Sequence, residues 1–329
     1  MALHGWLIVD KPVGPGSTQI VSAVKRALKA GGYPKVKVGH GGTLDPLASG
    51  VLPVALGEAT KLAGRMLDSD KVYDFTIGFG TETSTLDAEG EVVATSDIRP
   101  TLTQVEAVLP DFTGAIEQAP PAYSALMVDG KRAYDRARAG EDVDMKMRKV
   151  TIHSLCRHSR ESGNPASSAA SAPDEAEERD PRFRGDDVVG QITLTARVSK
   201  GTYIRSLARD IARALGTVGS VTMLRRTKAG PFGLSRAISL DKLGEAAMAR
   251  QLEHTLLPLT AGLDDIPALP VTPDQAGALR QGRKLIGIAA APGLHLATDA
   301  DVAVALVELS QGEVRVVRGF NMMMSKEAT

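Results

Sequence analysis

The segment from Gly39 to Gly50 has the residue types of a reactive loop. It reads Gly-His-Gly-Gly-Thr-Leu-Asp-Pro-Leu-Ala-Ser-Gly, with four glycines and a proline around one carboxylate, Asp45. The glycines permit a bent backbone, which lets the carboxylate approach a bound molecule closely and act there as a nucleophile or a base. Asp-Pro is also a common turn starter, and on the loop alone an ordinary turn is the better interpretation.

A second candidate is an arginine at an unfavourable place in a predicted helix. Apolar residues at helical spacing from Ile204 to Leu215 predict a helix with Thr202 as its N-cap. Arg205 then lies in the first turn, where the helix dipole disfavours a cation, so the sequence predicts an anion or a ligand beside it. Arg209 and Arg213 follow at four-residue spacing and are predicted to face solvent.

Other elements must position these residues. Alternating apolar residues predict strands over 72–79, with Tyr73 on the apolar face, and over 191–199. Ser17 is predicted to cap a helix that carries Ile20, Val24 and Leu28 on one face. After residue 258, prolines and short apolar runs predict a small all-β or α+β module.

The segment 158–187 differs from the rest of the chain in composition. It is rich in Ala, Ser and charged residues and contains one large apolar residue, Phe183. Such a sequence cannot offset its ordering entropy by burial, so it is predicted to be a disordered, dispensable loop inserted between two strands.

Composition narrows the class of protein. The 329 residues are 43% hydrophobic, which at about 150 residues per domain predicts two domains. No apolar run approaches the roughly 18 residues of a membrane span, and the start lacks a signal-peptide core, so a cytoplasmic protein is expected. Cys156 is the single cysteine, which excludes an internal disulfide and a Cys-rich zinc site.

Charge is unevenly distributed although the net charge is zero. Nine Lys or Arg and one acid lie between Arg197 and Arg236, whereas nine acids and one base lie between Asp74 and Glu117. The basic segment and the group Lys25, Lys29, Lys35 and Lys37 could form a cationic face that attracts a polyanion. Ordinary solvated helix faces would give the same pattern, and the two interpretations stay open at this stage.

Several motifs, in order along the chain, resemble those of the bacterial tRNA pseudouridine synthase B family. The reactive loop and its continuation to Lys61 resemble the catalytic motif of that family. The others are Asp10-Lys11-Pro12 with Gly14, Lys71-Val72-Tyr73 with Gly80, Thr81, Thr83, Asp87 and Gly90, Pro121–Leu126 with Asp129–Tyr134, Ser199–Leu207, and Leu224-Arg225-Arg226. The resemblance covers most of residues 5–236 and extends only weakly into the C-terminal module.

The resemblance implies a fold and an activity. The expected fold is α+β, with a mixed-sheet catalytic domain over residues 1–262 and a small PUA-like RNA-binding domain over 263–329. The expected reaction converts uridine 55 in the TΨC arm of tRNA to pseudouridine, which makes the protein an isomerase. No cofactor is implied, because the base is detached from C1′, rotated and rejoined through C5 without net redox change. A monomer that binds tRNA, without a membrane or an obligatory protein partner, is expected.

The resemblance also implies roles for individual residues. Asp45 corresponds to the catalytic aspartate and Arg205 to the arginine that pairs with it and keeps it ionised. Tyr73 corresponds to a tyrosine that stacks on the target uracil and removes the C5 proton, although a packed core tyrosine is the alternative. The implied substrate-binding residues are His40, Leu224, Lys11, Tyr203 and Lys200. Lys11 and Pro12 are also expected to brace the Asp45 loop, and Asp87 is expected to lie outside the chemistry.

Two alternatives remain open on the sequence. The target could be a uridine in another structured RNA, or the protein could act mainly as a tRNA-folding chaperone. The chemical step of Asp45 also stays open among attack on C1′, addition to the uracil ring and removal of the C2′ proton.

Overall fold

In a computed structural model, the protein consists mainly of two β-sheets with helices packed on them. The structure describes residues 3–322 except 125, 129, 142–144 and 159–186. The helices are α1 Ser17–Ala30, α2 Ala63–Asp68, α3 Leu102–Val108, α4 Ala133–Arg138, α5 Ile204–Ala214, α6 Leu240–Met248 and α7 Pro273–Arg280. None of the helices described is both long and apolar enough to cross a bilayer.

The strands fall into a large sheet, a smaller sheet and two short hairpins. The first thirteen are β1 Gly5–Lys11, β2 Val38–His40, β3 Ala48–Leu56, β4 Lys71–Phe79, β5 Thr81–Thr83, β6 Val92–Thr95, β7 Gly114–Gln118, β8 Met127–Val128, β9 Lys131–Arg132, β10 Arg148–Arg157, β11 Gln191–Val198, β12 Gly219–Ala229 and β13 Phe232–Gly233. The remaining five are β14 Ala268–Pro270, β15 Leu285–Ile286, β16 Gly293–Asp299, β17 Val302–Ser310 and β18 Glu313–Gly319.

The large sheet has the strand order β1-β3-β12-β4-β11-β10-β7, with β2 added to β3 and β13 added to β12. Its strands pair antiparallel except for β3 and β12, which are parallel. This confirms the predicted mixed sheet of an α+β protein. The strands predicted from alternation over 72–79 and 191–199 are confirmed as β4 and β11.

The central strands bring separate sequence motifs together. Parallel pairing sets Leu224 of β12 beside Ala48, at the end of the reactive loop. Antiparallel pairing sets Leu224 beside Phe75 and Arg226 beside Tyr73 of β4. Tyr73 and Leu224 contact both of the apolar cores that flank the sheet, one under α5 and one under α1 and α6. The reactive loop and Tyr73 therefore meet at the middle of the sheet.

The smaller sheet, β14-β16-β17-β18-β15, carries α7 on its surface. It confirms the predicted small module after residue 258. A third apolar core joins this module to the large sheet, because Leu306 and Phe320 pack in the same cluster as Trp6 and Leu62. The division at residue 263 and an RNA-binding role for this module stay predictions.

The structure differs from the sequence predictions at the starts of two helices, and one predicted segment lies almost wholly outside the described residues. The segment predicted as an inserted loop lies outside the described residues except for His158 and Asp187. The N-cap of α5 is Tyr203 and not Thr202, whose hydroxyl donates to the Ser199 carbonyl. The N-cap of α1 is Gly16 and not Ser17, because the Ser17 hydroxyl bonds elsewhere.

Candidate active site

Buried polar side chains fix the backbone of the reactive loop where its residues 41–47 connect β2 to β3. The Ser17 hydroxyl accepts from the Leu44 N–H at 2.8 Å and donates to the Leu44 carbonyl at 3.0 Å. Lys11 Nζ donates to the Pro46 carbonyl at 3.2 Å. Arg226, which is 1% exposed, donates to the carbonyls of Gly42, Thr43 and Val51. These contacts hold the loop in one shape, which a reacting group requires.

Asp45 forms an ion pair with Arg205 across the cleft. Arg205 Nη2 lies 2.8 Å from Asp45 Oδ2, and the Arg205 side chain is 8% exposed whereas that of Asp45 is 41% exposed. The Asp45 carboxylate is therefore held by Arg205 on one side and is accessible from the cleft on the other. This is the anion predicted beside Arg205, which lies in the first turn of α5 without an acidic residue in that turn.

Asp87 is a second carboxylate on the same guanidinium. Its Oδ2 lies 3.3 Å from Arg205 Nη1, and its side chain is 7% exposed. Arg205 also donates to the carbonyls of Thr85 and Tyr123, at 2.9 and 3.1 Å. The contact with Arg205 removes the basis for treating Asp87 as a residue outside the chemistry. It is a positioning residue for Arg205, and the family motif that contains it was the available signal.

The ion pair lies in an open cleft with a volume of about 1310 Å³. The cleft is lined by Asp45, Arg205 and four further residues expected in the site: His40, Tyr73, Tyr203 and Leu224. Burial raises the pKa of Tyr203, and burial with the nearby Arg226 lowers the pKa of His40. His40 is therefore neutral at neutral pH, and Tyr73, Tyr203 and Leu224 give the cleft an aromatic and apolar part of its lining.

Two residues expected to bind substrate lie away from the cleft wall. Lys11 is fully buried behind the loop, where Nζ donates to the Pro12 and Pro46 carbonyls, as expected of a brace. Lys200 is 64% exposed and pairs with Asp68 at 3.0 Å. Neither lines the cleft, so roles for Lys200 and Lys11 in binding RNA stay predictions, and Lys11 contacts the loop.

The basic segment 197–236 is largely neutralised by nearby acids. The ion pairs are Arg197 with Asp70, Lys200 with Asp68, Arg209 with Asp210, Arg213 with Glu82 and Arg225 with Asp10. The prediction of a phosphate-binding face is wrong for Arg205 and Arg226, because both are buried. The prediction that Arg209 faces solvent is also wrong, since its side chain is 14% exposed, whereas Arg213 is 57% exposed.

A side chain at Gly50 should disrupt the end of the reactive loop, where β3 pairs with β12. Gly50 has φ +101°, and a Cβ there would lie 2.1 Å from the Arg226 carbonyl oxygen on the paired strand. We expect Gly50→Ala to lower the free energy of unfolding by about 2–5 kcal/mol through strain and overpacking. Gly64→Ala, in α2 with nothing within 4 Å, should be neutral or stabilise by up to about 1 kcal/mol. Urea denaturation of both variants checks this, and equal effects would contradict it.

Lys11 should make stability depend on pH. Burial lowers its pKa from 10.5 to about 8. Between these two pH values Lys11 keeps its proton in the unfolded chain and releases it in the folded chain. The contribution of Lys11 to the free energy of unfolding therefore rises with pH. The unfolding free energy of the wild type minus that of Lys11→Met should therefore rise by roughly 2–3 kcal/mol from pH 7.5 to pH 10.5. A difference that stays constant in urea denaturation across this range would contradict the burial of a charged Lys11.

The chain matches two family profiles and resembles a solved structure. The profile of the TruB family pseudouridylate synthase N-terminal domain matches residues 25–172. The profile of the tRNA pseudouridylate synthase B C-terminal domain matches residues 205–264. A chain of the crystal structure of a Cbf5-Nop10-Gar1 complex superposes with a TM-score of 0.69 at 24% identity, over 96% of this chain and 85% of that one. At that identity the likeness shows the fold alone.

Curated relatives match along nearly the whole chain. The tRNA pseudouridine synthase B of Novosphingobium aromaticivorans is 59% identical over 97% of this chain and 98% of its own length. That of Zymomonas mobilis is 59% identical over 97% of both chains, and that of Caulobacter vibrioides is 43% identical over 98% of this chain and 97% of its own. Full-length identity at this level and the two matching domains agree with the motifs that surround Asp45. The chain belongs to the tRNA pseudouridine synthase B family.

Proposed function

We propose that this chain converts uridine 55 in the TΨC arm of tRNA to pseudouridine, with Asp45 as the reacting carboxylate. Membership of the family makes the chain a tRNA pseudouridine synthase, an isomerase. The position of the uridine and the role of Asp45 are the proposed parts. The observation that carries them is the Asp45–Arg205 ion pair, with its arginine buried and its carboxylate open to the cleft.

The reaction breaks the N1–C1′ bond and forms a C5–C1′ bond, and the proton on C5 is lost while N1 gains one. A base inside a folded RNA must leave its stack to reach Asp45, because the carboxylate lies in a cleft and not on a protruding surface. Asp45 acts on the flipped-out nucleotide as a nucleophile or a base. Arg205 orients the carboxylate, and Asp87 fixes Arg205.

Aromatic and apolar residues of the cleft lining are proposed to hold the base. Tyr73 offers a ring for stacking and Leu224 an apolar floor, because their strands are paired neighbours at the centre of the sheet. Tyr73 is the proposed acceptor of the C5 proton, which becomes acidic only after C5 has bonded to C1′. His40, neutral and at the start of the loop, is proposed to fill space that the flipped base leaves. Tyr203 and Lys200 are proposed to contact the RNA nearby.

Release of tritium from C5-labelled uridine tests the substrate. A TΨC stem–loop with uridine at position 55 should release tritium with the wild-type chain, and the same stem–loop with cytidine there should release none. A labelled fragment of ribosomal RNA serves as the competing substrate. Release from the ribosomal fragment alone would move the target to another RNA. Binding without any release from a folded protein would contradict the enzymatic proposal and favour a chaperone.

A further inference from the structure

Helix α1 carries three exposed cations and contains no acidic residue. Lys25, Arg26 and Lys29 lie on the side of the helix that faces away from its buried apolar residues. No ion pair or side-chain hydrogen bond joins any of the three to a residue that the structure describes. By contrast, Arg197 and Arg213 in the basic segment each pair with an acid. The positive charge on α1 is therefore available to a ligand.

A groove with a volume of about 640 Å³ lies beside these cations. Gln19, Ser22 and Arg26 of α1 line it, together with the Gly14-Pro15 turn and Leu240 at the start of α6. We call it the α1 groove. Arg26 is the one charged residue in its lining, and Gln19 and Ser22 add polar side chains. The α1 groove is open to solvent and suits an anion.

The α1 groove adjoins the catalytic cleft. Gln19 lines both, and Gly16, Ser17 and Thr18 at the start of α1 line the cleft together with Asp45. From Gln19 to Arg26 the helix advances two turns, which is about 10 Å along its axis. A polymer bound in the cleft can therefore extend into the α1 groove without crossing the body of the protein.

The turn between β5 and β6 borders the same cleft with the opposite charge. Glu89 and Glu91 are exposed in this turn and line the cleft. These carboxylates repel the phosphates of a bound RNA, whereas the cations of α1 attract them. The charges of the two borders therefore favour a path for the RNA backbone along α1 over a path across the β5–β6 turn.

We propose that the RNA backbone next to the target uridine leaves the cleft along α1 and that Arg26 binds one of its phosphates in the α1 groove. The inference rests on the proposed function, since it names a contact of the same substrate outside the catalytic cleft. A guanidinium donates two parallel hydrogen bonds to a phosphate, and Lys29 continues the positive charge one turn further along α1. Such a contact orients the RNA without reading its sequence.

Arg26→Met is the first test. We expect it to weaken binding of the TΨC stem–loop about fivefold or more and to reduce the slope of log K against log salt concentration by about 1. KM should rise while kcat stays within about twofold, because Arg26 does not line the cleft where the chemistry occurs. The melting temperature should not change, because the side chain is exposed and unpaired.

Lys228→Met is the control for Arg26→Met. Lys228 is exposed and lines neither the cleft nor the α1 groove, so the substitution removes the same charge elsewhere. It should bind the stem–loop within about twofold of the wild type. Equal losses of binding in the two variants would overturn the α1 groove as a specific contact, and so would wild-type binding by Arg26→Met.

Ser22→Glu is the second test, with Ser22→Gln as its neutral control. Ser22 is exposed on α1, one turn before Arg26, so both variants should fold. The glutamate would pair with Arg26 at four-residue spacing and repel a phosphate in the α1 groove. RNA binding should fall about fivefold or more in Ser22→Glu and stay within about twofold in Ser22→Gln. Equal binding by the two variants would contradict the proposal.

A neutral backbone locates the contact. Methylphosphonate introduced singly at each linkage near uridine 55 should weaken wild-type binding at one linkage, and Arg26→Met should be insensitive there. An Arg26→Met protein that keeps the full sensitivity at every linkage would overturn the α1 groove alone. A wild type that binds the stem–loop, with the expected loss in Arg26→Met, yet converts no uridine would overturn the proposed function and leave the α1 groove standing.

Discussion

Replacing Asp45 by asparagine should reduce pseudouridine formation at least about 10³-fold while leaving the fold and RNA binding intact. Asparagine has nearly the same size and still accepts a hydrogen bond from Arg205, but it is neither an ionised nucleophile nor a base. The Asp45 side chain is 41% exposed, and Arg205 keeps Asp87 as its partner, so stability should change little. Single-turnover tritium release with enzyme in excess over stem–loop isolates the chemical step from binding.

The control for Asp45 is Asp265→Asn. Asp265 is also an aspartate in an ion pair with an arginine, Arg65, and its side chain is 64% exposed, but it does not line the cleft. It should release tritium at the wild-type rate. If Asp45→Asn kept more than about a tenth of the wild-type rate, Asp45 would not be the reacting carboxylate.

Replacing Arg205 by methionine should damage both stability and activity. The change leaves Asp87, 7% exposed, without its countercharge, and breaking a buried pair in this way costs about 3–5 kcal/mol. It also removes the donor that orients Asp45, for which a loss of about 10²–10³-fold in the rate of the chemical step is expected. Urea denaturation and single-turnover tritium release measure the two effects separately.

A second substitution separates the two roles of Arg205. Arg205→Met combined with Asp87→Asn removes the buried unpaired charge, so stability should recover in part while activity stays low. Arg225→Met is the matched control. The Arg225–Asp10 distance of 2.9 Å lies between the two Arg205–carboxylate distances, 2.8 and 3.3 Å, but both of its side chains are 35% exposed. The Arg225→Met substitution should cost about 0–1 kcal/mol. An equal loss of stability in Arg225→Met and Arg205→Met would contradict the buried network.

Local patterns predicted the elements of the site better than its internal contacts. Alternation placed Tyr73 on a strand, and helical spacing with a cation in the first turn of α5 predicted an anion beside Arg205. Both signals arise within a few residues along the chain. The parallel pairing of β3 with β12, which sets Leu224 beside the reactive loop, joins residues more than 170 positions apart and has no local signal.

Lys11 was predicted to brace the loop, but two other polar supports, Arg226 and Ser17, were missed for the same reason. Arg226 belongs to a segment that is basic in sequence, yet its guanidinium is buried against carbonyls of the loop. Ser17 stands where a helix cap is typical, but its hydroxyl binds Leu44 in the loop. Charge patterns and capping propensity depend on residues that are close in sequence. The side chains of Arg226 and Ser17 instead bond loop residues that are distant in sequence and close in the fold.

Position-resolved detection of pseudouridine in an unmodified tRNA transcript tests whether the chain modifies uridine 55 and whether it needs Asp45 to do so. The transcript is incubated with the wild-type chain or with Asp45→Asn at equal concentration, and each uridine is scored. We expect pseudouridine at position 55 alone with the wild type and none with Asp45→Asn, although both proteins bind the transcript. Pseudouridine at another position, or equal conversion by both proteins, would contradict it.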